Sequence, residues 1–141
     1  MKKEAMGYLF SDDTTMMQPK QILALLRQTS WAAHYTPEIM AGVLTHSVCM
    51  GAFYQGEQIA FARCVTDETT VFYLEDVVVH PAHRGRGVGK MLLQLLLERE
   101  PICDLKGILV TDDAFSLYER FGFERDREIF MKKVSPVNGC F

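Results

Sequence analysis

Three glycines at alternate positions, in Arg84-Gly85-Arg86-Gly87-Val88-Gly89-Lys90, stand between a valine-rich run and a leucine-rich one. Upstream, Val71-Phe72-Tyr73-Leu74-Glu75-Asp76-Val77-Val78-Val79 is β-branched and aromatic enough to predict a strand. Downstream, Val88 to Glu98 carries leucine and methionine at helical spacing. The glycines therefore fall where a strand hands over to a helix. Glycine lets the backbone turn tightly and lets another group come close. A helix N-terminus supplies unpaired N–H groups and the positive end of a dipole, which suit a phosphate. With Arg84, Arg86 and Lys90 alongside, the segment predicts a pyrophosphate cradle.

Two common phosphate loops fail letter by letter. A P-loop needs glycine five positions before its Gly-Lys pair and serine or threonine after it. Those positions hold Arg84 and Met91. A dinucleotide fingerprint counted from Gly85 and Gly87 needs its third glycine where this chain has Lys90.

The stretch Arg84 to Gly89 does resemble the acyl-CoA loop of the GNAT superfamily of N-acetyltransferases, Arg/Gln-x-x-Gly-x-Gly/Ala, at every specified position. Pro81, just before it, is also usual in that family. Downstream, Ala114-Phe115-Ser116-Leu117-Tyr118-Glu119-Arg120-Phe121-Gly122-Phe123 is similar to the family's Ala-x-x-Leu/Phe-Tyr-x-x-x-Gly-Phe helix and turn. The resemblance covers Tyr73 to Lys132 well, and the rest of the chain only through its order of elements.

A chain of 141 residues with 48% apolar and 23% charged residues fits one soluble α/β (α+β) domain, expected here over residues 1–134 with a loose tail over 135–141. A net charge of −3 disfavours a nucleic-acid backbone as partner. No apolar run approaches the ~18 residues of a membrane span, and no secretory signal is apparent, so the expectation is cytoplasmic. Cys49, Cys64, Cys103 and Cys140 have no metal or paired spacing and are expected as free thiols. His80 and His83 lack partner ligands at matching spacing, so no metal is expected.

Local signals predict a first strand over 6–10, a helix from Pro19 to Thr29, and a second opened by a Thr36 cap with Pro37 in its first turn. Strands follow over Val48–Tyr54 and Gln58–Val65, joined as a hairpin across Gln55-Gly56-Glu57, then over Thr70–Val79. After the glycine loop come a helix to about Arg99, a strand over Gly107–Thr111, a short helix over Ala114–Phe121 and a last strand over Arg127–Lys133. By resemblance this order implies the GNAT fold, a mixed and mostly antiparallel sheet flanked by helices and splayed between its fourth and fifth strands. The room for only one short strand after Phe123 implies a short far wall of the acceptor pocket, or one completed by a second subunit. A homodimer is a fold-level analogy only.

The resemblance implies acetyl-CoA as cosubstrate and transfer to a primary amine, without a covalent enzyme intermediate. The acidic pair and the aromatic loop favour a small molecule. A protein N-terminus or lysine, or a sensor that binds acyl-CoA without turnover, are the alternatives. Val77, Val78 and Val79 would pair with the pantetheine arm. Gly85, Arg86, Gly87, Val88, Gly89 and Lys90 would hold the pyrophosphate, with Arg84 and Lys90 adding charge. Tyr118 occupies the family's tyrosine position and would protonate the thiolate; otherwise it is a core aromatic. Tyr73-Leu74-Glu75-Asp76 is similar to the diamine N-acetyltransferases, which implies Glu75 as base and Asp76 as acceptor contact. Strand alternation sends these two to opposite faces, and pairing with Arg63 is the competing role for either. Thr111 stands where many relatives have asparagine on the pantetheine side, and Asp112-Asp113 is expected to cap the helix that follows. Trp31 and Tyr35, between the first two helices, would clasp the acceptor or simply plug the core.

Overall fold

The computed structural model describes residues 1–126 and 129–135. Six strands form one sheet in sequence order: β1 Lys2–Ala5, β2 Tyr8–Ser11, β3 Ser47–Tyr54, β4 Glu57–Thr66, β5 Val71–Val79 and β6 Lys106–Ile108. The first five are antiparallel to their neighbours, and β6 runs parallel to β5. Helices α1 (Pro19–Leu26) and α2 (Pro37–His46) link β2 to β3. Helix α3 (Val88–Glu98) makes the parallel crossover, and α4 (Phe115–Glu119) follows β6.

Side-chain alternation gives the sheet two apolar faces. Leu92, Leu93 and Leu96 of α3 pack on Met50, Ala52, Ala60, Ala62, Phe72 and Leu74. The alanines leave a shallow floor on which the helix can sit close. On the other face, Ile22, Leu23, Leu25 and Leu26 of α1 and Met40 of α2 cover Cys49, Phe53, Phe61 and Val78.

Helix starts follow the expected chemistry. Thr36 Oγ1 accepts the Ile39 N–H at 3.2 Å, with Pro37 in the first turn. At α1 no side-chain cap forms, and the N-cap residue is instead tied to β4: Gln58 Oε1 accepts the Gln18 N–H at 2.8 Å, while Gln18 Oε1 accepts the Gln58 N–H at 2.9 Å.

Both ends of the chain depart from expectation. The first strand is a hairpin, Ala5 opposite Tyr8 across a two-residue turn at Met6 (φ 55°) and Gly7 (φ 83°). The β3–β4 loop is likewise two residues, because Tyr54 pairs with Glu57. The strand expected over Gly107–Thr111 starts one residue earlier and ends at Ile108. Of the last strand expected over Arg127–Lys133, residues 129–133 are not in a strand, and Arg127 and Glu128 lie outside the described residues. So do Cys140 and most of the expected tail.

β6 touches β5 over three pairs only, Val71–Lys106, Phe72–Gly107 and Tyr73–Ile108. Beyond Tyr73 the two strands part, and the rest of β5 has one open edge among the described residues. Gly107 makes the contact possible, since a Cβ there would lie 2.2 Å from Phe72 Cζ. Phe72 is 5% exposed and packed edge-on to Phe123, so its ring has nowhere to go. Gly107→Ala is therefore expected to destabilise the domain by about 1–3 kcal/mol through overpacking, read as a lower urea midpoint.

Candidate active site

The open edge of β5 runs directly into the glycine loop. His80 N–H bonds back to Ile59 O at 2.7 Å, so alternation in the ladder turns the N–H and C=O of Val79 toward the open side. Val77 and Val79 lean on the α3 face, whereas Val78 is buried on the α1 face. Arg84 Nε donates to Val79 O at 3.0 Å, which holds the guanidinium between the strand edge and the loop. Arg84, expected to add charge at the pyrophosphate, thus has its Nε engaged by the backbone of the strand.

The loop enters α3 through Gly85 (φ 75°) and Gly87 (φ 82°), both left-handed. No side chain caps α3, and its first internal bond is Met91 N–H to Gly87 O at 3.1 Å. The N–H groups of Val88, Gly89 and Lys90 consequently have no intrahelical acceptor. A Cβ at Gly85 would meet nothing within 4 Å, so the loop backbone there is open to approach. An uncapped eleven-residue helix beside Arg86 and Lys90 fits a pyrophosphate well.

Next to the edge lies a charged cluster that alternation did not foresee. Arg63 pairs with Glu75 and Phe61 with Val78, so Ala62 opposes both Asp76 and Val77. This is a bulge, with Asp76 at φ 55°. It flips the strand: Phe72 and Leu74 face α3, and so do Val77 and Val79. Glu75 and Asp76 therefore share one face instead of opposing ones. Arg63 bridges them, with Nη2 on Glu75 Oε2 and Nε on Asp76 Oδ2, each at 2.7 Å. Its Nη1 donates to Ser47 Oγ at 3.1 Å and its Nη2 to Tyr35 Oη at 3.2 Å, while the Tyr35 hydroxyl donates to Asp76 Oδ2 at 3.2 Å.

Exposure separates the two carboxylates: the Glu75 side chain is 30% exposed and that of Asp76 is 0%. The acceptor contact expected of Asp76 has no exposed surface to act through. Burial raises the proton affinity of Glu75 against the pull of Arg63, and the charge of Asp76 raises it further. Burial, with Asp76 adding, pushes the Tyr35 hydroxyl up to about 12. Tyr35 thus stays a neutral donor that pins the α1–α2 connection to β5. Trp31 in that connection is 44% exposed. Arg63 was visible in the sequence only as a possible partner. The stronger sign was a lone arginine inside the apolar run Ile59 to Val65, since a charge there demands partners.

Tyr118 sits on α4 at the margin of the α3-side core, its ring 6.1 Å from that of Phe123. Burial, and then the charge of Asp113, raise its hydroxyl above the ordinary tyrosine range. Thr111 Oγ1 accepts the Ala114 N–H at 3.1 Å and makes the turn expected of Asp112-Asp113, which cap nothing at Ala114. That bond leaves Thr111 its O–H to donate.

Residues 45–125, more than half of the chain, match the acetyltransferase (GNAT) domain. A Gibberella zeae protein assigned as an acetyltransferase is 29% identical over 91% of this chain and 86% of its own length. A crystal structure from Xanthomonas campestris pv. campestris, assigned to the GNAT acetyltransferases, aligns with TM-score 0.85 and 34% identity over 92% of this chain and 94% of that one. Glucosamine-6-phosphate N-acetyltransferase from Arabidopsis thaliana shares the fold at TM-score 0.68 and 19% identity, over 89% and 97% of the two chains. The chain belongs to the GNAT family of acetyltransferases, and membership implies use of an acyl-CoA. Among the described residues, no helix is long and apolar enough to cross a membrane. Nor do three or more His, Cys, Asp or Glu residues there gather as a metal site.

Proposed function

We propose that this protein transfers the acetyl group of acetyl-CoA to a primary amine of a small molecule, by direct attack. The observation that carries this reading is Glu75: a partly exposed carboxylate, raised in proton affinity, two residues before the open stretch Val77–Val79. A base must compete for the proton of an ammonium ion, and a carboxylate moved toward neutrality is better suited to that.

In this reading the outward backbone groups of β5 that Arg84 leaves free pair with the pantetheine arm, Thr111 adds a hydroxyl, and the α3 N-terminus with Arg86 and Lys90 holds the pyrophosphate. Glu75 takes a proton from the acceptor ammonium, directly or through one water. The amine nitrogen then forms its bond to the thioester carbonyl carbon, and the carbon–sulfur bond breaks. Tyr118 gives its phenolic proton to the departing thiolate, and the second proton shed by the acylated nitrogen returns to Tyr118, directly or through water. Holding both reactants side by side supplies much of the acceleration.

The test is thiol release from acetyl-CoA across polyamines, arylalkylamines, aminoglycosides, amino acids and short peptides, with CoA-dependent thermal stabilisation on the same samples. Amine-dependent release with small amines is the expected result. Release with peptides alone points to a protein acceptor, and stabilisation without release on any amine points to a binding module. Glu75 acts deprotonated, so kcat/KM should rise with pH through a midpoint above the ordinary glutamate range. An acid limb at or below that range would remove Glu75 as the base.

A further inference from the structure

We propose that Asp76 is a positioning residue which neutralises Arg63 from the buried side, the uncharged Tyr35 hydroxyl bridging the two, so that Glu75 is held by the guanidinium yet leaves the cluster one net negative charge that selects a cationic acceptor. The proposal rests on Glu75 being the base and names the acceptor class for that same site.

The charge balance follows from the contacts. Arg63 carries +1, and Asp76 and Glu75 carry −1 each. Asp76 is fully enclosed and takes the Nε donor, so its charge is spent on the guanidinium. Glu75 takes Nη2 but keeps exposed surface, where an ammonium can approach. In an Arg–Glu pair alone, which would be neutral, burial by itself would oppose the pull of the guanidinium on the glutamate. The bulge at Asp76 brings a second carboxylate to the same face, and its charge raises Glu75 further.

The groups facing Glu75 from each packed element are consistent with a single net charge. Besides Arg63 on β4 and Asp76 on β5 they are Tyr73, Tyr35 and, behind Arg63, Cys49 on β3. Burial pushes both tyrosines and the thiol up to about 12, so all three are neutral near pH 7. An acceptor with a carboxylate beside its amine would face Glu75 with like charge. A simple alkylammonium would not.

The experiment is a titration of the Glu75 carboxyl by carbon-13 NMR in the wild-type protein and in Asp76→Asn, the resonance being assigned by its loss in Glu75→Gln. The expected wild-type midpoint lies above the ordinary glutamate range, and Asp76→Asn should lower it by about one pH unit. A wild-type midpoint below that range overturns the proposal by itself, even if Asp76→Asn does not fold. An unmoved midpoint in a folded Asp76→Asn overturns it equally. In kinetics, Asp76→Asn should shift the acid limb of kcat/KM by the same amount. It should also cut the preference for 1,4-diaminobutane over glycine about tenfold, chiefly in KM. A merely structural ion pair would change stability and neither of these. A preference for glycine in the wild type would also refute the assigned class. Glu75→Gln with unchanged turnover would instead remove the base reading and leave the titration result standing.

Discussion

Gly87→Glu is expected to abolish CoA-induced stabilisation altogether. At a hundred times its Kd, a ligand adds about 2.7 kcal/mol to the folded state, worth several degrees in Tm for a domain of this size. Two effects act on the variant. Any side chain at φ 82° strains the backbone by about 1–2 kcal/mol, which lowers Tm in the absence of ligand. The carboxylate then sits beside the uncapped N–H groups of Val88 to Lys90, competes for them, and repels a pyrophosphate. Gly87→Ala separates the two, because it carries the strain without the charge. The alanine variant should keep a reduced thermal shift, and the glutamate variant should show none at the same CoA concentration. A normal shift in Gly87→Glu would place the cradle elsewhere.

That prediction leans on a segment whose structure was written locally. A loop with left-handed positions between a valine strand and a leucine helix needs only its own residues to be recognised. The same holds for Thr36-Pro37, where capping is decided within four residues. Except at Thr111, where the miss is local, the missed features depend on partners distant in sequence. The strand expected over 6–10 runs through Gly7, and the hairpin that replaces it takes its register from β2 pairing with β3. At Thr111 two neighbouring aspartates looked like better caps, yet the threonine hydroxyl took the Ala114 N–H.

The bulge on β5 had the largest consequence for the site, and period-two alternation excluded it. Nothing in Glu75-Asp76-Val77-Val78-Val79 marks a break except the aspartate, a residue type that tolerates positive φ better than most. What favours the break is tertiary. Arg63, buried on the α1 face, is held there by two carboxylates, and only a one-residue slip in β5 brings Glu75 and Asp76 to that face together. The bend also carries Val77 to Val79 on past the last β6 pair. The bulge therefore lies within the stretch of β5 that β6 leaves unpaired.

Tyr118→Phe should lower kcat by about 10²-fold while leaving CoA affinity and Tm nearly unchanged. A positioned general acid is worth roughly 10²–10⁴ in rate. The phenylalanine ring keeps the edge-on contact with Phe123 and the packing against the α3-side core, so the fold loses little. The sign of the pH effect follows from the environment. Burial and Asp113 raise the Tyr118 hydroxyl, so it holds its proton throughout the neutral range and, in the proposed mechanism, is a donor wherever Glu75 is already deprotonated. The wild type should accordingly show a broad plateau, bounded below by Glu75 and with no fall from Tyr118 until pH exceeds the ordinary tyrosine value. In the variant the plateau drops as a whole, with its acid limb in place, because Glu75 is untouched. Turnover equal to wild type would make Tyr118 a core aromatic and leave the thiolate to solvent. A fall in kcat accompanied by an equal loss of CoA affinity would point to pocket shape as the cause. The hydroxyl alone separates these outcomes, which is why phenylalanine, and not alanine, is the substitution to make.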